Sequence, residues 1–300
     1  MAAPASPHHT PFGRIVTAMV TPFTADGGLD LDGARALAEH LVEAGNDALV
    51  LNGTTGEAPT TTDEEKVALV RAIREAVGDR ALIIAGVGTN DTRHTIAQAV
   101  AAEKAGAHAL LAVTPYYSKP PQEGVYQHFT AIADATRLPV MLYDIPGRTC
   151  TPIEPETLIR LAEHDRIVAV KDAKGDLGAS SRVMANTDLA YYSGEDMLNL
   201  PLLSVGAVGV VSVASHLVSP DLRAMFDAYA AGEVGKARDI HRSLLPVYTG
   251  VFRTQGVITT KAALRGLGLP AGPVRLPLVD LTPQQLDVLR RDLAAGGIEL

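Results

Sequence analysis

Ala44-Gly45-Asn46-Asp47-Ala48-Leu49-Val50-Leu51 recurs loosely as Ala105-Gly106-Ala107-His108-Ala109-Leu110-Leu111-Ala112, and again as Val205-Gly206-Ala207-Val208-Gly209-Val210-Val211-Ser212. Each copy reads as a helix end, a glycine C-cap, a short turn and a buried strand. Strand-like apolar runs fall at 15–20, 48–51, 82–87, 109–113, 140–143, 167–171, 190–193 and 208–213, eight in all. Helix-like stretches lie between them, at 30–44, 63–77, 91–105 and 122–135 among others. Asp63 and Asp91 stand at N-cap positions, and the acids of Asp63-Glu64-Glu65-Lys66 crowd a first turn as the helix dipole favours. The strand spacing is about 30 residues, the length of one βα unit. Eight such units predict an α/β fold of the (β/α)8 TIM-barrel type rather than a doubly wound sheet. No G-x-G-x-x-G follows the first strand, which weakens a dinucleotide-binding reading further.

After about residue 231 the strand pattern stops. Residues 233–250, 255–266 and 282–294 read as helices, parted by Pro/Gly-rich links at 268–272 and 276–283. The expected organisation is a disordered tail over 1–11, a catalytic barrel over 12–230 and a C-terminal helical extension over 231–300 packed on the barrel. The Ala/Pro/His-rich tail lacks a basic-then-apolar signal pattern, and its His8 and His9 need no more than a floppy end to explain them.

Composition narrows the function. Hydrophobic residues make up 47% of the 300, with aromatics at 4% and no tryptophan, so small aliphatics do the packing. A net charge of −8 argues against nucleic acid held on a basic face. No 18-residue apolar run is present, so no membrane span is expected. The lone Cys150 allows no internal disulfide and fits a reducing, cytoplasmic setting.

In a parallel barrel the chemistry gathers where strands run into loops. The sixth strand reads Ile167-Val168-Ala169-Val170-Lys171. A lysine closing a buried strand holds its amine at the rim of an apolar interior, where burial favours the neutral, nucleophilic form. Schiff-base chemistry with a carbonyl is one reading; a lysine snorkelling to solvent beside Asp172 or Lys174 is the other. The second strand runs into Asn52-Gly53-Thr54-Thr55-Gly56-Glu57, a tight turn able to aim N–H groups at an anion, or simply a turn. The fourth gives Thr114-Pro115-Tyr116-Tyr117, where one of the two tyrosines is expected to pack. The fifth gives Tyr143-Asp144-Ile145-Pro146-Gly147-Arg148-Thr149, with an arginine suited either to a carboxylate or to a surface salt bridge. The seventh and eighth ends, at Ser193-Gly194-Glu195-Asp196 and Gly209-Val210-Val211-Ser212, suggest little chemistry of their own. No metal-ligand pattern is present, and His40, His94, His128, His164 and His241 read as surface or cap residues of helices.

Taken together and in order, Gly53-Thr54-Thr55-Gly56-Glu57, Thr114-Pro115-Tyr116-Tyr117, Tyr143-Asp144-Ile145-Pro146-Gly147-Arg148-Thr149 and Val170-Lys171-Asp172-Ala173 resemble the dihydrodipicolinate synthase branch of the pyruvate-dependent class I aldolases, the group that includes N-acetylneuraminate lyase. The resemblance covers roughly residues 12–295. It implies the barrel with its helical C-terminal part, a homotetramer built from two tight dimers, and condensation of pyruvate with L-aspartate 4-semialdehyde without cofactor or metal. By resemblance, Lys171 forms the imine and Tyr143 donates and accepts protons. Thr54 is the relay, and Tyr117 completes a neighbouring subunit's relay. Thr55 lies in the pyruvate-carboxylate turn, Arg148 meets the second substrate's carboxylate, and the Val211 carbonyl faces pyruvate. A sugar-acid aldolase would share Lys171 and Tyr143; Arg148 after Pro146-Gly147 suits a small dicarboxylic adduct better. A non-catalytic binding barrel is the reading from a different class.

The resemblance also bears on regulation. Lysine-inhibited members bind lysine near the tyrosine that matches Tyr116. Asn90 and Tyr116 are kept here, whereas Asp63 and Lys66 replace two histidines of the strongly inhibited type, and His94 replaces an acid that grips the ligand's ammonium.

Overall fold

The computed structural model describes residues 10–300. His8, His9 and most of the expected tail lie outside the described residues. Eight parallel strands close into a barrel in sequence order: β1 Ile15–Ala18, β2 Ala48–Leu51, β3 Leu82–Gly86, β4 Ala109–Val113, β5 Val140–Asp144, β6 Ile167–Asp172, β7 Ala190–Ser193 and β8 Gly209–Ser212. Every strand is buried along nearly its whole length, which is why the runs read as continuously apolar rather than alternating. The three repeat glycines, Gly45, Gly106 and Gly206, all have positive φ (94°, 96° and 121°), the left-handed turn that carries a helix end into the next strand.

Two compact units emerge from the contacts. One comprises residues up to Arg14 with Ile84–Val211. It holds β4–β7, β8 as far as Val211, and helices α3 Thr92–Ala105, α4 Gln122–Asp134, α5 Pro146–Thr149, α6 Pro155–Leu161, α7 Leu177–Met184 and α8 Asn199–Ser204. Asp91 caps α3 as expected, accepting from the Arg93 and His94 amides. His128 departs from its reading as a surface residue. It faces inward on α4 beside Phe129, and its Nδ1 meets Thr92 Oγ1 at 2.9 Å. Helical periodicity puts Val125, His128, Phe129 and Ile132 on one buried face. His164 lies in the turn after α6 rather than in a helix.

The other unit comprises Ile15–Ile83 and Ser212–Leu300. It holds β1, β2 and helices α1 Leu31–Glu43, α2 Asp63–Val77, α9 Ser215–Ala230, α10 Val234–Val251, α11 Gly256–Gly266 and α12 Pro283–Ala295. Asp63 is not an N-cap. Thr62 is, in a capping box with Glu65, because a side-chain oxygen one residue earlier reaches the N3 amide. Leu244, Val247 and Val251 of α10 and Leu289 and Leu293 of α12 are buried. There the packing is close: a Cβ on Gly250 would lie 3.0 Å from Cβ of Asp292. Arg253 adds a two-bond grip on the Asp292 carboxylate, at 2.8 and 3.0 Å. Beneath α9 runs a buried polar chain. Thr17 bonds Asn46 and Ser215 at 2.5 and 2.7 Å, and His216 accepts from the Val20 amide at 3.1 Å. Among the described residues no helix is long and apolar enough to cross a membrane.

Candidate active site

Lys171 occupies the carboxyl end of β6, only 5% exposed. Register places it opposite Tyr143 on β5 and Tyr192 on β7. Its amine lies 4.2 Å from the centroid of the Tyr143 ring. Burial pulls the ammonium down to about 8; Asp196 opposes that shift and Arg148 adds to it. Snorkelling to solvent is therefore ruled out by position: the side chain runs inward, past Gly194. A Cβ at residue 194 would stand 2.9 Å from Lys171 Cγ and 3.0 Å from Cε, so the absence of a side chain there leaves the lysine its path.

The surrounding strand ends are braced. Thr114 donates to the Tyr143 carbonyl through both its backbone N–H (3.1 Å) and its hydroxyl (3.0 Å), tying the end of β4 to β5. Asp144 accepts from the Ile153 amide at 3.2 Å and faces Lys174 Nζ at 3.3 Å. Burial pushes its carboxyl up to about 6 despite that lysine. Asp172 accepts from the Ser180 hydroxyl and the Lys174 amide, which shapes the turn into α7. These bonds account for its place beside Lys171. Among the described residues no group of three or more His, Cys, Asp or Glu gathers as a metal site would.

Arg148 sits exposed on the short helix α5, with its backbone amide bonded to Ile145 O at 2.9 Å. Val211 is buried on β8. Tyr117 is 88% exposed and has φ 73°; Tyr116 is 37% exposed. Of the pair expected to include one packing ring, Tyr116 is the more covered. The loop passes through left-handed residues at Tyr117 and Lys119 (φ 48°). Asn90 and His94 are exposed near the start of α3, and His94 Nε2 lies 3.1 Å from Gln98 Nε2. In the second unit, Thr55 is buried and Thr54 half-buried in the turn after β2, whose Thr54 carbonyl accepts the Glu57 amide at 3.1 Å. Lys66 Nζ donates to Thr61 O at 2.9 Å and faces Asp63 at 3.6 Å.

Two residues carry more than the sequence suggested. Asp196 is buried, bonded by Asn199 Nδ2 at 3.1 Å, and its charge bears on Lys171. Gly194 gives that lysine room. The signal was the Gly-Glu-Asp run directly after a predicted strand.

The sequence matches the dihydrodipicolinate synthetase family over residues 11–296. The chain belongs to that family. It is 69% identical over 298 residues to the 4-hydroxy-tetrahydrodipicolinate synthase 2 of Streptomyces coelicolor, covering 99% of this chain and all of that one. A 4-hydroxy-tetrahydrodipicolinate synthase of Acidothermus cellulolyticus is 68% identical over 287 residues, 96% of this chain and 93% of that one. The crystal structure of the dihydrodipicolinate synthase of Cyanidioschyzon merolae with lysine bound superposes with a TM-score of 0.94 at 45% identity, covering 95% of this chain and 98% of that one. Family membership and the (β/α)8 barrel with its C-terminal helices agree with the reading from sequence.

Proposed function

We propose that this chain condenses pyruvate with L-aspartate 4-semialdehyde through an imine on Lys171, releasing 4-hydroxy-tetrahydrodipicolinate. The overall activity is that of the 4-hydroxy-tetrahydrodipicolinate synthases, lyases of lysine and diaminopimelate biosynthesis, to which the chain is 54–69% identical over nearly its whole length. The observation that carries the residue assignment is the buried Lys171 amine, its ammonium pulled down to about 8 by burial and set 4.2 Å from the Tyr143 ring.

The neutral amine attacks the pyruvate ketone, and the carbinolamine loses water to give the imine. The imine withdraws electrons from the adjacent methyl, which gives up a proton to form an enamine. The enamine carbon attacks the semialdehyde's aldehyde carbon, whose oxygen takes a proton and becomes the hydroxyl. The substrate's amine then attacks the imine carbon and displaces Lys171. Each step moves a proton, so the proposed roles are Tyr143 as donor and acceptor, with Thr54 as relay. Thr55 takes the pyruvate carboxylate, the Val211 carbonyl faces pyruvate, and Arg148 takes the second carboxylate. The cycle needs neither metal nor organic cofactor.

Tyr117 supports an assembly. A tyrosine in left-handed backbone is strained, and strain of this kind persists at functional sites. Its exposed ring is free to enter a neighbouring subunit and complete that subunit's relay, in a homotetramer made of two tight dimers working in the cytoplasm. The test is borohydride reduction in the presence of pyruvate. The expected result is inactivation with a pyruvate-derived mass on the Lys171 peptide and none on Lys171→Arg, whose guanidinium stays protonated. A label on another lysine refutes the assignment.

A further inference from the structure

The Gly53-Thr54-Thr55-Gly56 turn is bounded by two non-glycine residues in the left-handed region, Asn52 (φ 57°) and Glu57 (φ 55°). Such backbone persists where side chains over-determine it. Asn52 is tied by its Nδ2 to Lys66 O of α2 at 3.2 Å. Glu57 is tied to the C-terminal helical part. Its carboxylate lies 2.6 Å from Lys261 Nζ, on α11, and accepts the Arg275 backbone amide at 2.9 Å. Both Glu57 and Lys261 are buried, Lys261 completely.

The tie continues on both sides. Lys261 Nζ donates to Pro273 O at 2.7 Å and stands 4.1 Å from the Phe23 ring centroid. The Arg275 guanidinium lies 4.0 Å from the centroid of that ring. It grips Glu65 with two bonds, at 2.7 and 2.6 Å, and donates to Thr60 O at 2.8 Å. Glu65 in turn closes the capping box of α2. The backbone of Glu57 is bonded at both its ends: its amide reaches Thr54 O, and its carbonyl accepts the Thr60 amide at 3.0 Å. Thr21 Oγ1 donates to Gly56 O at 2.8 Å.

A buried ion pair of this kind is a poor way to add stability, since an apolar pair of the same volume serves as well. What it does supply is a fixed position for the carboxylate, and through it for the turn. We propose that Glu57, clamped by Lys261 and Arg275, is a positioning residue that sets the Thr54-Thr55 turn for pyruvate. This inference rests on the role given to that turn above. Control of the turn then comes from α11 and the loop after it, far away in sequence.

The test uses the full-length enzyme. Lys261→Met removes the charged half of the clamp without touching the turn, leaving only the Arg275 amide on the carboxylate. The expected result is a folded variant whose KM for pyruvate rises at least tenfold, with the KM for the semialdehyde within twofold of wild type. Amide exchange over residues 52–58 should quicken at least tenfold while β4 and β5 exchange as before. A folded variant with unchanged pyruvate KM, an equal rise in both KM values, or unchanged exchange over 52–58 overturns the clamp. If Lys261→Met does not fold, Glu57→Gln is judged by the same readings; if neither folds, the pair is purely structural and the proposal fails. Wild-type enzyme that borohydride and pyruvate leave unlabelled refutes the imine reading instead, and the exchange measurement still decides the clamp.

Discussion

Lys171 and Tyr143 face each other in register on adjacent strands, amine to ring centroid 4.2 Å. Two side chains from neighbouring barrel strands can hold such a distance because strand register leaves them little freedom, whereas a loop lysine would have to be ordered anew at each turnover. Two charges bear on the amine in opposite directions: Asp196 favours its ammonium and Arg148 disfavours it.

That balance predicts a pH dependence. Only the neutral amine attacks a ketone, so imine formation should rise with pH and level off above an apparent pKa of about 8. Arg148 disfavours the ammonium, so Arg148→Gln should move the rise to higher pH. Asp196 favours the ammonium, so Asp196→Asn should move it lower. Borohydride trapping with pyruvate alone, followed against pH, reads these shifts without the second substrate. Shifts in the reverse directions would mean that neither charge acts on Lys171 as placed.

Gly194→Ala brings a methyl to 2.9 Å from Lys171 Cγ. The lysine must then leave its rotamer, and displacing a reacting atom by about 1 Å costs roughly 10²-fold in rate. Trapping should slow on that scale while the circular dichroism spectrum stays native. A wild-type trapping rate would show that the lysine has another way in.

Tyr117→Phe keeps the ring and removes the hydroxyl. Loss of a proton-relay group costs about 10²-fold or more in turnover. The imine with pyruvate should still form, since Lys171 and Tyr143 lie in the same chain. Stopped-flow or trapping experiments separate the two steps, and equal loss of both would place Tyr117 elsewhere in the cycle.

His216 predicts how the fold responds to acid. It is fully enclosed, donating from Nδ1 to Val213 O at 2.8 Å and accepting at Nε2 from Val20, so only the neutral ring fits. Burial pulls its pKa down to about 4, and His128 is pulled down to about 4 for the same reason. Unfolded histidine titrates near 6.5. Stability from His216 is therefore complete above about 6.5 and is lost as pH falls towards 4, on the order of 3 kcal/mol at the limit. Urea unfolding at pH 7.5 and pH 5 should show that decline, and His216→Gln should make it shallower, leaving the share that His128 contributes.

What the sequence made legible follows from range. The barrel was readable because each βα unit is local, with apolar run, glycine turn and amphipathic helix inside about 30 residues. Lys171, Tyr143 and Arg148 were legible as candidates because strand ends, and the turns that leave them, are where a parallel barrel exposes chemistry. The N-cap of α2 was misplaced by one residue, since Thr62 and Asp63 both qualify by type and only geometry chooses between them. His128 was read as exposed because its partner, Thr92, lies on another helix. The grip of Lys261 on Glu57 had no local signal at all, because the two residues are brought together only by the packing of the finished fold.

Regulation gives the last prediction. By family resemblance the effector, L-lysine, needs anions near its ammonium. At the matching positions this chain carries His94, exposed and near Gln98, and Lys66, whose own ammonium is held by Thr61 O at 2.9 Å and faces Asp63 at 3.6 Å. A fixed cation repels a cationic ligand, and Asp63 is already engaged by Lys66, so it offers the effector little net charge. L-lysine should therefore inhibit weakly or not at all. Initial rates at subsaturating pyruvate should stay above half of the uninhibited rate up to roughly 1 mM L-lysine, a ceiling that corresponds to binding no tighter than about −4 kcal/mol. Exchanging Lys66 for histidine and His94 for glutamate together should lower the half-inhibiting concentration. Strong inhibition of the unaltered enzyme below that ceiling would mean that Asn90 and Tyr116 alone suffice to hold the effector.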